Sequence, residues 1–145
     1  MRSKVPHQIV IDTNVFIASL RSKYGASYKL LMLLESGKYE CNFSVPLILE
    51  YEDVAKRLIN EIPLTATDID NIIDYLCSVG NYRKIFYLWR PFLNDPKDDM
   101  ILELAVSARC NIIVTYNKKD FNGAEKFGIR ILTAKEFLQE IGEIP

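Results

Sequence analysis

Short apolar runs alternate with helical repeats along the chain. Residues 8–11 (QIVI) form a β-branched run that predicts a buried strand, and residues 15–20 continue as a helix. Residues 27–36 have helical periodicity and stop at Gly37, a residue typical of helix ends. Residues 40–43 predict a second strand. The chain therefore opens with a strand, two helical segments and another strand.

The middle of the chain continues the alternation. Ser44 is predicted to cap a helix that has Pro46 in its first turn and reaches about residue 60. Thr67 is predicted to cap the next helix, which ends near Gly80. Residues 85–89 are a third strand in this interpretation.

The last third has the clearest signals. Asp95, Pro96 and Asp98 have the form of a capped helix start, so a helix is predicted up to Arg109. Strands at 112–115 and 128–132 and a helix over 134–141 complete the pattern. Strands that alternate with helices imply right-handed crossovers, so we expect one α/β domain over residues 1–145, with a mostly parallel sheet covered on both faces.

Composition narrows the function. The 145 residues include 18 basic and 19 acidic side chains, so any polyanion must be met by local patches or by metal ions. No apolar run approaches the ~20 residues of a membrane helix and no signal peptide opens the chain, so we expect a cytoplasmic protein without membrane contact. The one histidine, His7, argues against His-based catalysis and zinc. Three isolated cysteines are expected to serve as small apolar packing. Carboxylates are therefore the side chains that remain as candidates for catalysis.

Polar residues follow the predicted strands, at the edge where open α/β sheets bind ligands. They are Asp12, Thr13, Asn14, Ser44 and Thr115, and Asp98 and Asp99 open the helix before the last of these strands. Each acid also has a structural interpretation. Asp12, Asp98 and Asp99 could cap helices, and Glu50 could be a boundary residue paired with Lys56 or Arg57.

Convergence of these acids at one edge would require a cation. Two unit charges about 4 Å apart repel by ~4 kcal/mol even at an effective dielectric of 20. Ligation by oxygen alone suits Mg²⁺ or Mn²⁺, and such a site supports hydrolysis of phosphodiester bonds. Nucleotide-binding glycine loops are absent from the sequence. A receiver-like phosphoaspartate protein remains an alternative, although it lacks an acceptor at a middle strand end.

Three stretches resemble the PIN domain family, and its VapC-like toxin branch in particular: residues 9–20 (IVIDTNVFIASL), 44–54 (SVPLILEYEDV) and 95–121 (DPKDDMILELAVSARCNIIVTYNKKDF). The resemblance implies a three-layer α/β/α sandwich and a Mg²⁺- or Mn²⁺-dependent ribonuclease. It also implies frequent homodimers and a small antitoxin partner.

The same resemblance assigns the site residues. Asp12, Glu50 and Asp99 match the family's acids, with Asp98 as the other candidate for the third. The family's fourth acid is replaced by Asn117, which could still bind the metal or position a water, and Asp120, three residues further on, could substitute for the acid. Thr13, Asn14, Ser44 and Thr115 are expected to orient water or the metal ligands. Because of Asn117, a PIN-like module that binds RNA or protein without cutting is the alternative function.

Side chains near the same edge could contact RNA. Arg21, Lys23, Lys118 and Lys119 are the main candidates for the phosphate backbone. Tyr24, Tyr116 and Trp89 are candidates for stacking on bases. The apolar stripes at 30–34 and 69–76 could form a dimer or antitoxin surface.

Overall fold

A parallel five-stranded sheet forms the centre of the molecule. The computed structural model describes residues 6–84 and 92–145. The sheet has the order β3-β2-β1-β4-β5, and its strands are β1 (His7–Ile11), β2 (Tyr39–Phe43), β3 (Asn81–Tyr82), β4 (Ile112–Val114) and β5 (Arg130–Leu132). All four strand pairs are parallel. The predicted fold class is confirmed.

Six helices within the described ranges cover the sheet: α1 (Thr13–Arg21), α2 (Ala26–Met32), α3 (Val45–Arg57), α4 (Ala66–Val79), α5 (Pro96–Ser107) and α6 (Ala134–Glu140). Short 3₁₀ segments lie at Ile59–Glu61, Lys118–Phe121 and Ala124–Phe127. Helix α1 contacts α2 and α3, α3 contacts α4, and α2 contacts α6, whereas α5 lies against β1, β2 and β4. None of these helices is long and apolar enough to cross a bilayer.

Strand β1 lies at the point where the chain order reverses. From β1 the chain first adds β2 and β3 on one side and later adds β4 and β5 on the other. Ile11 is in register with Val114, so the residues that follow these two strands, Asp12 and Thr115, leave the sheet side by side. Crevices at such a reversal are the usual ligand sites of open parallel sheets.

Aromatic packing fixes α1 and α3 above the end of β1. The rings of Phe16 and Tyr51 stack with centroids 4.5 Å apart. The buried Tyr51 hydroxyl donates a hydrogen bond to the Ile11 carbonyl, one residue before Asp12. Because Tyr51 follows Glu50 in α3, this anchor also fixes the position of Glu50 relative to the strand end.

Several helix boundaries differ from prediction by two residues or more, and two of these differences have a local hydrogen-bonding cause. Helix α2 ends at Met32 rather than near residue 36, because Leu33 and Leu34 change to hydrogen bonds with carbonyls three residues back. Helix α4 is capped by Thr65 rather than Thr67. The Thr65 hydroxyl accepts from the Asp68 amide at 3.1 Å, and the Asp68 carboxylate accepts from the Thr65 amide at 2.9 Å. This reciprocal pair satisfies two free amides at once.

Other expectations have different outcomes. Cys41 and Cys110 are buried, as packing residues would be, but Cys77 is exposed on α4. For Cys77 the packing prediction is wrong. The strand predicted at 85–89, with Trp89, lies outside the described residues.

Candidate functional site

An acidic cleft of about 500 Å³ opens where β1 and β4 end. Among the described residues, five carboxylates and two basic side chains line it: Asp12, Glu50, Asp95, Asp98, Asp120, Arg21 and Lys97. Thr13, Asn14 and Asn117 add polar groups, while Ile17, Ala18, Val54 and Leu58 form an apolar wall. The fold therefore brings together acids that are far apart in the sequence.

Asp12 connects the strand end to the first helix. It caps α1, and its Oδ1 accepts from the Thr13 amide at 2.7 Å. Its Oδ2 accepts from the Thr115 hydroxyl at 2.7 Å. Burial raises the pKa of Asp12, these two hydrogen bonds oppose the rise, and the charges of Glu50 and Asp120 add to it. The carboxylate is thus both fixed in place and short of positive charge.

Glu50 reaches the cleft from α3. Its Oε2 accepts a 2.6 Å hydrogen bond from the Thr13 hydroxyl, and its Oε1 lies 3.5 Å from Lys97 Nζ. The expected surface pairing with Lys56 or Arg57 is not what the structure shows. Those two side chains pair instead with their neighbours, Lys56 with Asp70 at 2.7 Å and Arg57 with Asp53 at 2.9 Å.

Asp98 and Asp99 face different surroundings at the start of α5. Asp98 lines the cleft, and burial together with the charges of Asp12, Asp120, Asp95 and Glu50 raises its pKa to about 7. Asp99 is buried, and its Oδ1 accepts from the amides of Phe92 and Leu93 at 3.2 and 2.8 Å. Asp98 therefore contributes its charge to the cleft, whereas Asp99 holds the preceding backbone against the helix.

A polar network closes the wall at the β4 end. The buried Thr115 hydroxyl accepts from the Asn117 amide at 3.0 Å and from Asn14 Nδ2 at 3.3 Å. Asn14 Oδ1 in turn accepts from the Tyr116 amide at 3.2 Å. Asn14 and Thr115 thus hold the two strand ends together around Asp12.

Asp120 lies close in sequence to Asn117, the residue that stands where the resemblance implies a fourth acid. It lies in the 3₁₀ segment after Asn117, and both residues line the cleft. Its charge contributes to the raised pKa values of Asp12 and Asp98. The negative charge absent at Asn117 is therefore supplied three residues later.

Ser44 acts at a distance from the cleft. Its buried side chain caps α3 and accepts from the Leu47 amide at 3.3 Å. Ser44 is not among the residues that line the cleft. It therefore supports Glu50 by starting the helix that carries it.

The predicted RNA-contacting lysines and arginine are in different settings. Arg21 lines the cleft and pairs with Glu61 at 3.5 Å. Lys118 pairs with Glu136 at 2.8 Å, Lys119 is exposed, and Lys23 lies over the Tyr24 ring, 5.6 Å from its centroid. Of these four, the structure places only Arg21 in the cleft wall.

The candidate stacking residues also differ in setting. Tyr24 is 88% exposed and Tyr116 is 43% exposed. The Tyr116 hydroxyl hydrogen-bonds to Ser27, which ties that ring to α2. Trp89 lies outside the described residues.

Sequence reasoning missed two cleft residues. The sequence pattern predicts Asp95 only as a helix cap, and it does accept from the Lys97 amide at 2.9 Å, but it also lines the cleft. Lys97 was not considered. A lysine in the first turn of a helix opposes the helix dipole, and that signal could have identified it.

The donor set suits a hard divalent cation. Within residues 6–84 and 92–145, no group of three Asp, Glu, His or Cys side chains stands ready to chelate a metal. The cleft nevertheless offers only oxygen ligands from acidic side chains, which suits Mg²⁺ or Mn²⁺. Burial raises the pKa values of Asp12 and Asp98, the neighbouring acids add to the rise, and a cation in the cleft would favour the charged form of both carboxylates.

A second, apolar cavity of about 590 Å³ lies beside the cleft. We call it the apolar groove; it is formed by α1, α2 and α4 together with the segments that follow α1 and precede α4. Leu31, Met32 and Leu34 from one predicted stripe meet Ile72, Tyr75 and Leu76 from the other. Arg21 lines both the groove and the cleft, so the two cavities share one side chain.

A parallel α/β sheet with an acidic cleft at its point of reversal defines a class of proteins that bind ligands at the carboxyl ends of their strands. The family model described as the PIN domain matches residues 8–119, and the chain belongs to this family. PIN domains are commonly nucleases that use divalent metals. No curated protein matches the chain.

Proposed function

We propose that the protein is a Mg²⁺- or Mn²⁺-dependent endoribonuclease. The observation that carries the proposal is the acidic cleft at the β1 and β4 ends, where burial and neighbouring acids raise the pKa of Asp98 to about 7. Such a concentration of carboxylates suits a site that holds a cation and receives a phosphodiester. A nuclease-type fold supports the same conclusion.

Each acid has a role in this proposal. Asp12, Glu50 and Asp98 hold the metal, and Asn117 and Asp120 line the same cleft as further oxygen ligands. Asp98 takes the third position in preference to Asp99, because two backbone amides occupy Asp99 Oδ1. A divalent cation held there supplies charge stabilisation for the phosphoryl group and lowers the pKa of water.

The neighbouring residues orient these ligands. The Thr13 hydroxyl fixes one oxygen of Glu50, and the Thr115 hydroxyl fixes one oxygen of Asp12. Asn14 joins the two strand ends, so the two carboxylates keep their spacing. Such outer contacts commonly change metal affinity by ~10–100-fold when removed.

The RNA backbone would approach over the side of the cleft that carries Arg21. Lys23 and Lys119 are exposed, and each lies two residues along the chain from a cleft residue, Arg21 and Asn117 respectively. Because the formal charge of the chain is -1, these local charges would have to offset the acids for RNA to bind.

We further propose that the enzyme is the toxin of a toxin–antitoxin pair, and that a segment of the antitoxin occupies the apolar groove. Met32 is 61% exposed and Tyr75 is 41% exposed within the groove, and Arg21 and Lys23 lie on its wall. A helix with an apolar face and nearby acidic residues fits that chemistry.

A second copy of this chain, in a homodimer that uses the same groove, is the competing occupant. Size-exclusion chromatography with light scattering would detect such a homodimer as a dimeric wild type and a monomeric Met32→Glu variant.

Cleavage of end-labelled single-stranded RNA tests the nuclease. The wild type should cut with Mn²⁺ or Mg²⁺ and not with EDTA, and Asp12→Asn and Asp98→Asn should abolish cutting. Asp53→Asn is the matched control, since Asp53 pairs with Arg57 on the surface. Binding without cleavage under every metal would instead support a PIN-like RNA- or protein-binding module, the alternative that Asn117 raises.

A further inference from the structure

The acidic cleft contains its own cation. Two basic residues lie in its wall within residues 6–84 and 92–145: Arg21 pairs with Glu61, whereas Lys97 pairs with the cleft acid Glu50. Lys97 therefore places a positive charge against one of the acids proposed to hold the metal.

The position of Lys97 is unfavourable for the helix that carries it. It is the second residue of α5, after the cap Asp95 and Pro96. The amino end of a helix carries partial positive charge, which disfavours a cation there. Lys97 therefore does not stabilise the start of its own helix, whereas its ammonium does face the carboxylate of Glu50 on α3.

Both oxygens of Glu50 are engaged, though not equally. Oε2 accepts the short hydrogen bond from Thr13, a residue buried at the start of α1. Oε1 faces the ammonium of Lys97 at 3.5 Å, and the Lys97 side chain is 63% exposed while that of Glu50 is 13% exposed. The lysine has a flexible stem and can withdraw into solvent, so Oε1 is the oxygen that can be released.

We propose that Lys97 is an internal counter-cation of the cleft, which holds Glu50 Oε1 in the metal-free protein and is displaced when a divalent cation binds. The inference rests on the proposed metal site. It makes Lys97 a positioning residue that sets metal affinity. In the metal-free state the lysine offsets part of the repulsion around Glu50, and metal binding costs the protein that contact.

The test is the affinity for Mn²⁺, measured by isothermal titration on the wild type, Lys97→Gln, Lys97→Arg and Lys135→Gln. Lys97→Gln should bind Mn²⁺ roughly fivefold more tightly, the scale of one exposed ion pair. Lys97→Arg should stay near the wild type. Lys135→Gln removes the same charge on α6, away from the cleft residues, and measures the effect of net charge alone.

Thermal unfolding gives a second measurement, whose expected result would not follow if Lys97 had only a structural role. In EDTA, Lys97→Gln should melt at or below the wild-type temperature, while saturating Mn²⁺ should raise its melting temperature more than that of the wild type. Wild-type Mn²⁺ binding with no gain in Lys97→Gln beyond Lys135→Gln would overturn the inference and leave the nuclease proposal standing. Absence of Mn²⁺ binding by the wild type would overturn both.

Discussion

The Thr115 hydroxyl donates a 2.7 Å hydrogen bond to Asp12 Oδ2. These two residues are 103 positions apart in sequence but follow the paired strands β4 and β1. The same hydroxyl accepts from the Asn117 amide and from Asn14. One buried side chain therefore links the first acid of the cleft to the loop that brings in Asn117 and Asp120.

Thr115→Val should weaken both the fold and the site. It removes the shorter of two hydrogen bonds to Asp12 Oδ2, which keeps only Asn14 Nδ2 at 3.4 Å as a donor, at a cost of ~1–3 kcal/mol in the free energy of unfolding. Because the Thr115 hydrogen bond lowers the pKa of Asp12, the pKa should rise further when it is lost. Urea unfolding and Mn²⁺ titration measure the two effects. Thr115→Ser keeps the hydroxyl and should remain close to the wild type; a loss in Thr115→Ser but not in Thr115→Val, which keeps the methyl group, would mean that methyl packing, not the hydrogen bond, matters.

Substitutions of Asp98 and Asp99 should have separate effects, the first on metal binding and the second on stability. Asp98→Asn should lower Mn²⁺ affinity by roughly tenfold or more, since it removes a carboxylate that would be charged beside the bound cation, without loss of stability in EDTA. Asp99→Ala should reduce the free energy of unfolding by ~1–3 kcal/mol, because the amides of Phe92 and Leu93 lose their acceptor. Titration and urea unfolding of each variant make the comparison. The reverse pattern would identify Asp99 as the metal ligand.

The metal-free protein should lose stability as the pH rises. Asp98 has a pKa of about 7 in the folded chain and about 3.9 when unfolded. Between these values the folded state binds more protons, so the contribution of Asp98 is fully present below about pH 4 and is lost as the pH rises through about 7. The raised pKa of Asp12 acts in the same direction.

Urea unfolding in EDTA at pH 5, 6 and 8 measures this dependence. The stability of the wild type relative to Asp98→Asn should fall across the series, whereas its stability relative to Asp53→Asn should change little, since Asp53 is an exposed residue paired with Arg57. A constant difference between the wild type and Asp98→Asn would show that Asp98 does not titrate in this window.

Gly80 should not tolerate a side chain. It ends α4, and a Cβ there would lie 2.2 Å from Phe43 Cε2, in the ring at the end of β2. Because Phe43 is buried and precedes the cap of α3, Gly80→Ala should cost ~1–3 kcal/mol through displacement of that ring. Chemical denaturation checks the value. Gly25→Ala is the control, since a Cβ there meets nothing within 4 Å.

Local sequence patterns predicted most elements of the fold. The run that became β1 contains Ile9, Val10 and Ile11, all buried, so its apolar character alone marks a central strand. The start of α5 was equally readable, because Asp95 caps it and Pro96 opens it. The end of α2 was not, since Leu33 and Leu34 change to hydrogen bonds with carbonyls three residues back, before the Gly37 that marks a helix end in the sequence.

The sequence by itself determined the alternation of strands and helices, and the positions of the acids at strand ends and helix starts. Those features follow from side-chain periodicity and capping, which act over a few residues. Only the tertiary structure decided that Asp98 lines the cleft while Asp99 binds the backbone amide of Leu93. It also decided that Asp120 and Asn117 line the same cleft and that Lys97 reaches Glu50. Each of these depends on how α3, α5 and the β4 end pack together, and a contact between distant segments leaves no pattern in either segment alone.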